Sequence, residues 1–200
     1  PTTDGECFLD YGDGSYYRVY DFIEDSLCLQ AAETPEDFYQ SAIGFGRFQQ
    51  MLDGYPAETL FETIPNFHNT PRRFETFLAS VEADVAGRAA EVREEIEFLR
   101  GYRDLTSAIT SRLGADLPLR VTHNDTKLNN VLIDDVTGKA ICVIDLDTVM
   151  PGSSLYDYGD AIRFGACTAA EDEPDTDKIG FSMELFEAFT EGFVSATAGG

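Results

Sequence analysis

The feature that most constrains the fold is the segment 119–147, in which short β-patterned runs surround a polar loop. Residues 131–133 and 140–144 are apolar and rich in β-branched side chains, and a polar turn containing Gly separates them. Two such runs joined by a short polar turn predict a β-hairpin. This hairpin would bring Asp145, which follows its second strand, back beside Asn130, which precedes its first.

The loop before this hairpin combines four polar residues at fixed spacing. His123, Asp125, Lys127 and Asn130 fit the pattern H-x-D-x-K-x-x-N, and the hairpin then ends in Ile-Asp at Asp145. The same order occurs in kinases, in which the catalytic loop is followed along the chain by an aspartate that binds magnesium. Turn formation is the alternative, because Asn-Asp and Asn-Asn pairs form turns readily and an acidic chain places aspartates at strand ends by chance. The joint pattern favours the catalytic hypothesis.

The residue types in this pattern are those that phosphoryl transfer needs. A carboxylate must orient the attacking hydroxyl and accept its proton, and Asp125 is the candidate. Mg²⁺ prefers carboxylate, amide and water oxygens, which makes Asn130 and Asp145 candidate metal ligands. Lys127 is the candidate for stabilising charge on the transferred phosphoryl group. Asp147 is a further candidate, for a second magnesium ion or for the acceptor, and the alternative is that it caps the next turn.

Three stretches of the chain carry a resemblance to a known family. Residues 122–164, THNDTKLNNVLIDDVTGKAICVIDLDTVMPGSSLYDYGDAIRF, resemble the aminoglycoside phosphotransferase and choline kinase superfamily, and most of all its N-acetylhexosamine 1-kinase branch. Residues 6–14, ECFLDYGDG, and residues 62–74, ETIPNFHNTPRRF, extend the similarity over essentially the whole chain. The resemblance implies ATP- and Mg²⁺-dependent phosphorylation of the anomeric C1 hydroxyl of an N-acetylhexosamine. The spacing alone indicates a small-molecule or protein kinase.

The expected fold class is mainly α with short β-hairpins, an α+β fold. By resemblance, the chain is the large C-terminal lobe of a protein-kinase-like phosphotransferase with a remnant of the small β lobe. Residues 1–23 would be the last hairpin of the small lobe and the hinge, and residues 24–200 the helical large lobe with the catalytic loop. Because the chain starts at Pro1 without Met, we expect a piece of a longer protein, incomplete at both ends.

The resemblance also implies roles for residues outside the loop pattern. The nucleotide hinge, whose backbone meets adenine, would consist of Tyr20, Asp21 and Phe22. His123 would pack and hydrogen-bond beneath the loop, and Asp160 would support the loop by hydrogen bonding. A plain acid at a helix N-terminus is the alternative for Asp160. From pattern alone, residues 19–23 predict only a buried strand that leads into a loop.

Apolar residues at helical spacing predict the helices. The first begins at Thr34 and Pro35, a cap and a first-turn proline, and ends before Gly54. Gly44 and Gly46 lie inside it, where they favour close helix packing over a nucleotide-binding glycine loop, which needs a preceding strand and free backbone amides. Further helical patterns cover residues 70–81, 92–99, 105–113, 157–163 and 181–189, and residues 150–152 predict a turn.

Composition limits the partners. The formal net charge of −23 argues against nucleic acid and anionic membranes, and no apolar run approaches the ~20 residues of a membrane span. ATP is also an anion, so magnesium must offset the negative balance locally. We expect a cytoplasmic protein whose cysteines are reduced and packed, because they show no zinc or C-x-x-C spacing. These cysteines are Cys7, Cys28, Cys142 and Cys167.

Several alternatives stay open at this point. The same chemistry could act on an aminoglycoside, choline or homoserine, and an acidic surface suits a polycationic aminoglycoside. A protein kinase is disfavoured, because Leu146 and Asp147 replace Phe-Gly after Asp145 and no A-P-E segment follows. A non-catalytic acidic binding module is the alternative from another class. His68 lacks a partner carboxylate at a telling spacing, which favours a surface or packing role over catalysis.

Overall fold

The computed structural model describes residues 2–198 and has a mixed α+β fold. Within that range the α-helices are α1 (Pro35–Met51), α2 (Thr70–Ala83), α3 (Arg93–Gly101), α4 (Ser154–Gly165) and α5 (Met183–Thr197). Single turns of 3₁₀ helix occur at Ala57–Thr59, Ala89–Val92, Arg103–Leu105, Leu128–Asn130, Leu146–Thr148 and Thr176–Lys178. None of the helices in this part of the chain is long and apolar enough to cross a membrane.

The strands are short and pair antiparallel. They are β1 (Leu9–Asp10), β2 (Tyr16–Tyr17), β3 (Ser26–Cys28), β4 (Arg120–Thr122), β5 (Val131–Asp134), β6 (Ala140–Val143) and β7 (Met150–Gly152). β1 pairs with β2, β4 pairs with β7, and β5 lies between β3 and β6. In the β5–β6 hairpin Val131 lies opposite Val143, which confirms the predicted hairpin.

Helix α1 is the centre of the packing, and its start follows from the sequence. Thr34 and Asp37 form a capping box, in which the hydroxyl of Thr34 accepts from the Asp37 N–H and the Asp37 carboxylate accepts from the Thr34 N–H. The predicted apolar stripe is buried: Phe38, Ala42 and Phe45 are fully inaccessible. This stripe packs against β5, α4 and α5, and together they form one hydrophobic core. Such packing is expected of a helix with a broad apolar face.

The two glycines of α1 allow neighbouring elements to approach closely. A Cβ on Gly46 would lie 2.6 Å from Cβ of Ala196 in α5, and a Cβ on Gly44 would lie 2.9 Å from a methyl carbon of Val131 in β5. Both distances are shorter than packed carbon atoms permit. The packing role predicted for these glycines is therefore confirmed.

Several expectations from the sequence are wrong. Residues 19–23 form no strand, and Val19 and Phe22 are 91% and 88% exposed, because no neighbouring strand covers them within residues 2–198. Residues 150–152 form β7 instead of a turn, and Pro151 is tolerated there because β4–β7 is a two-stranded edge pair. Cys7 and Cys28 are exposed, so not all of the free thiols are packed.

The helix predicted over residues 105–113 is also wrong, because this segment forms 3₁₀ and irregular turns. Its Ser and Thr hydroxyls donate to backbone carbonyls, as Ser111 Oγ does to the Ser107 carbonyl at 2.6 Å. Such bonds compete with the regular helical pattern. Helix α4 begins at Ser154, three residues before the predicted start, because Ser153 supplies the N-cap.

Candidate active site

The polar loop after β4 is held from below by a buried carboxylate of α4. Asp157 is fully inaccessible and accepts the backbone N–H of His123 at 3.0 Å and that of Asn124 at 2.8 Å. The side-chain amide of Gln49, from α1, donates to the same carboxylate. Burial raises the pKa of Asp157, and these three hydrogen bonds oppose the rise. One acid thus ties the loop to two helices.

His123 fills the space beneath the loop. Its ring is inaccessible and meets Phe45 and Phe48 of α1 edge-on. Nδ1 accepts the backbone N–H of Asp125 at 3.3 Å, so the ring proton must lie on Nε2, which donates to the Ile144 carbonyl at 2.9 Å. Because both ring nitrogens of His123 make hydrogen bonds, the ring orients the loop and has no free nitrogen that could accept a proton from a substrate.

Three residues of the sequence pattern converge at the top of the loop. The amide nitrogen of Asn130 donates to the backbone carbonyl of Asp125 at 2.8 Å and to its Oδ2 at 3.1 Å. Lys127 Nζ lies 3.7 Å from Asp125 Oδ1. The side chains of Asp125 and Lys127 are 29% and 30% exposed, so both can reach a ligand. The structure therefore brings a carboxylate, an ammonium group and an amide together.

Acidic and basic residues of α4 and the following loop support Lys127. Its Nζ lies 3.6 Å from Glu171 Oε2 and 5.8 Å from the Phe164 ring centroid. Arg163 donates to Glu171 at 2.9 Å and to Asp160 at 3.0 Å. The hydrogen bond from Arg163 lowers the pKa of Glu171, and the charge of Lys127 adds to this effect. Glu171 thus stays ionised beside the lysine.

Asp160 also contacts the loop directly. Its Oδ2 accepts the backbone N–H of Thr126 at 3.0 Å, and the Thr126 hydroxyl donates to the Asp157 carbonyl at 2.6 Å. Asp160 therefore hydrogen-bonds to the backbone of the loop, and the supporting role that the resemblance implied for it stays a prediction. The sequence pattern did not indicate Asp157 or Glu171 as site residues, although a second acid three residues before Asp160 on one helix face was a usable signal.

The hairpin places Asp145 beside Asn130, as expected. The Ile144 N–H donates to the Asn130 carbonyl at 2.9 Å, and Asp145 follows in a left-handed conformation with φ 58°. Asn124 has φ 68°, so two of the five non-glycine residues with positive φ among residues 2–198 lie at the loop and at the end of its hairpin. Such backbone costs of order 1 kcal/mol or more and concentrates at functional sites.

The donor set fits a magnesium ion that also binds phosphate. The amide nitrogen of Asn130 is used by Asp125, so Oδ1 is the atom available to a cation, and the exposed carboxylate of Asp145 supplies a second oxygen. No group of three or more His, Cys, Asp and Glu side chains that could hold a metal occurs among residues 2–198. Mg²⁺ needs no such group, since it keeps several waters and takes one or two protein ligands.

Asp147 forms an ion pair with the segment that precedes the proposed hinge. The Asp147 carboxylate pairs with Arg18, which precedes the hinge residues, and both side chains are at least half exposed. The hinge residues lie outside every helix and strand. Asp147 therefore lies next to the guanidinium group of Arg18, and its role as a magnesium ligand stays a prediction.

His68 is a packing residue with one unusual property. Its ring stacks on Tyr156 with centroids 4.4 Å apart and meets Phe67 edge-on. Burial lowers the pKa of His68, and the negative charge of Asp160 opposes this. Its Nε2 is buried and has no hydrogen-bond partner in the described part of the chain.

Comparisons with known proteins identify the family of the chain. The family model described as "Phosphotransferase enzyme family" matches residues 4–182, so the chain belongs to this family of phosphotransferases. Among solved structures, the chain is similar to the crystal structure of an aminoglycoside-3'-phosphotransferase of type VIII, with 18% sequence identity and a TM-score of 0.46. The match covers 86% of this chain and 58% of that one, so the chain spans less than two thirds of that protein's length.

Proposed function

We propose that the protein transfers the γ-phosphoryl group of ATP to the anomeric C1 hydroxyl of an N-acetylhexosamine, with Mg²⁺ as cofactor. The observation that supports this most directly is the convergence of Asp125, Lys127 and Asn130 at one loop. Membership of the phosphotransferase family supports the reaction class. The acceptor rests on the resemblance of residues 122–164 to N-acetylhexosamine 1-kinases.

Asp125 would orient the acceptor hydroxyl and take its proton. The hydrogen bond from Asn130 fixes one carboxylate oxygen, Oδ2, and Oδ1 stays beside Lys127. Lys127 would stabilise the negative charge on the transferred phosphoryl group, and its ammonium group also lies 3.6 Å from Glu171 Oε2. Positioned charges of this kind are the largest contribution to phosphoryl transfer.

Asn130 Oδ1 and the Asp145 carboxylate would hold the magnesium ion, and Asp147 would add a contact if Arg18 released it. The ion, when bound, neutralises charge on the β- and γ-phosphates. We also propose that the backbone of Tyr20, Asp21 and Phe22 binds adenine, since these groups take part in no helix or strand. A cytoplasmic location belongs to the same proposal.

An aminoglycoside is the second candidate acceptor. The net charge of −23 would attract a polycation, whereas it gives no electrostatic attraction to a neutral sugar. Electrostatic attraction of this kind raises association rates without selecting the reacting hydroxyl. Acceptor identity must therefore come from measured turnover.

The proposal is tested with the full-length protein, ATP and magnesium, by following ADP release. The acceptors are N-acetylglucosamine, N-acetylgalactosamine, kanamycin, choline and homoserine. We expect turnover with the acetylated sugars and a loss of about a hundredfold or more in Asp125→Asn. Asp135→Asn is the matched control, because Asp135 is an exposed acid in the turn of the β5–β6 hairpin.

Each other outcome has a definite meaning. Turnover with kanamycin, choline or homoserine alone would keep the kinase and discard the sugar. Full activity in Asp125→Asn would remove the role given to this carboxylate. An absence of turnover and of magnesium-dependent ATP binding would favour the acidic binding module.

A further inference from the structure

The ammonium group of Lys127 rests between two carboxylates, and only one of them belongs to the proposed base. Nζ lies 3.7 Å from Asp125 Oδ1 on one side and 3.6 Å from Glu171 Oε2 on the other. Both distances are longer than a normal hydrogen bond of about 2.7–3.2 Å, so the ammonium group binds closely to neither acid. A small shift of Lys127 toward Asp125 would turn the first contact into a hydrogen bond.

Such a shift matters because the two oxygens of Asp125 are not equivalent. Oδ2 accepts the amide of Asn130 at 3.1 Å, whereas Oδ1 accepts no hydrogen bond from residues 2–198. Oδ1 is therefore the oxygen left to accept the proton of the acceptor hydroxyl. Lys127 can donate and cannot accept, so its ammonium group competes with that hydroxyl for the same oxygen.

Glu171, the acid on the other side, is fixed to α4 through Arg163. One guanidinium nitrogen of Arg163 donates to Glu171 Oε1 at 2.9 Å, and the other two donate to Asp160 Oδ1 at 3.2 and 3.0 Å. The guanidinium group is planar and rigid, so it sets the position of Glu171 relative to α4. Asp160 also accepts the N–H of Thr126 at 3.0 Å. The contacts thus leave the catalytic loop at Lys127 and return to it at Thr126.

A role for Glu171 in stability does not account for this arrangement. Its side chain is 47% exposed, and water screens exposed ion pairs so strongly that they add little to the free energy of folding. The placement of the ammonium group is a different consequence of the same contact, because it decides which oxygen Lys127 occupies.

We propose that Glu171 is a positioning residue that keeps Lys127 off Asp125 Oδ1, a role that rests on the proposed kinase function. The acceptor hydroxyl then donates to Oδ1 and passes its proton there. Its oxygen forms a bond to the γ-phosphorus, and the bond between that phosphorus and the leaving ADP oxygen breaks. Without Glu171, the ammonium group closes onto Oδ1 and competes with the hydroxyl.

The first test measures kcat and KM of the full-length enzyme. Glu171→Gln keeps the size of the side chain and an oxygen for Arg163, and removes the charge that attracts Lys127. We expect kcat to fall about fivefold while KM for ATP changes by less than about twofold. Asp172→Asn is the matched control, because it removes the same charge from the next residue, which is exposed, and should leave both constants unchanged.

A double-mutant cycle separates positioning from a structural role. Lys127→Met removes the competing ammonium group, so Glu171→Gln added to it should change kcat by less than about 1.5-fold. An equal loss with and without Lys127 would mean that Glu171 acts through structure or surface charge, and would overturn the proposal.

Crystal structures of the full-length wild type and of Glu171→Gln show where the ammonium group goes and need no turnover. We expect Nζ of Lys127 within about 3.2 Å of Asp125 Oδ1 in the variant and farther away in the wild type. An unmoved ammonium group would overturn the positioning role. If the wild type phosphorylates no acceptor, the proposed function fails, and these two structures alone decide whether Glu171 positions Lys127.

Discussion

The carboxylate of Asp157 accepts the backbone N–H of Asn124 at 2.8 Å, so a fully buried acid of α4 fixes the residue that precedes the proposed base. The same carboxylate holds the N–H of His123. Burial raises the pKa of this carboxyl group, and the hydrogen bonds from the two backbone N–H groups and from Gln49 oppose the rise. The position of Asp125 therefore depends on an acid that does not contact substrate.

We predict that Asp157→Ala destabilises the protein by about 3 kcal/mol or more, because it leaves buried donors of the loop and of Gln49 without acceptors. Urea unfolding gives the change. Asp172→Ala, an exposed acid of the loop after α4, removes the same charge and should change stability by less than about 0.5 kcal/mol. Equal effects of the two substitutions would show that Asp157 acts only through net charge.

A second prediction concerns the contact between α1 and α5. A Cβ on Gly192 would lie 2.6 Å from the backbone carbonyl oxygen of Tyr39 and 2.9 Å from Cβ of Ala42. Backbone cannot move away easily, so Gly192→Ala should lower the free energy of unfolding by about 1–3 kcal/mol.

Gly159→Ala in α4 is the matched control for this substitution. Nothing lies within 4 Å of a Cβ at that position, so alanine should raise stability by about 0.5–1 kcal/mol through its higher helix propensity. Thermal or urea unfolding of the two variants should show opposite signs. Equal signs would mean that the helices separate enough to accept a methyl group.

The sequence predicted those parts of the molecule that depend on local pattern. The hairpin of β5 and β6 and the buried stripe of α1 follow from periodicity, and both are confirmed. The convergence around Asp125 was expected from fixed spacing within a single loop. These features need only neighbouring residues, which is why a single sequence was enough.

Long-range partners could not be predicted in the same way. Asp157 is more than 30 residues from the loop that it supports, and Glu171 meets Lys127 only because α4 turns the chain back. The strand pairing of Pro151 with Val121 also depends on a distant partner. At residues 105–113 the local pattern itself was misleading. The apolar spacing predicted a helix, and hydrogen bonds from side-chain hydroxyls to backbone carbonyls compete with that helix.

A third prediction concerns the metal. Asp145→Asn should raise the magnesium concentration needed for half-maximal activity by more than about tenfold, because even the loss of an outer partner costs about 10–100-fold in metal affinity. Asp147→Asn should change it less, since Asp147 pairs with Arg18. Magnesium titrations of activity at saturating ATP measure both. A larger effect of Asp147→Asn would transfer the principal ligand role to that residue.

The last prediction uses the pKa of His68 to test whether its ring is buried and neutral. The pKa is lowered from 6.5, mainly by burial, with Arg73 of α2 adding to this and Asp160 of α4 opposing it. Between the folded pKa and 6.5 the unfolded chain binds more protons, so stability rises with pH in that window and is lost as pH falls through it.

Urea unfolding of wild type and His68→Phe across pH 5 to 7, about the range in which histidine titrates, isolates this effect. His123 and the carboxylates are common to both proteins, so their contributions cancel in the difference. We expect the stability of wild type relative to His68→Phe to increase as pH rises. A difference that stays constant would mean that the ring titrates as in the unfolded chain, and a decrease would mean that Asp160 outweighs burial and holds the ring charged.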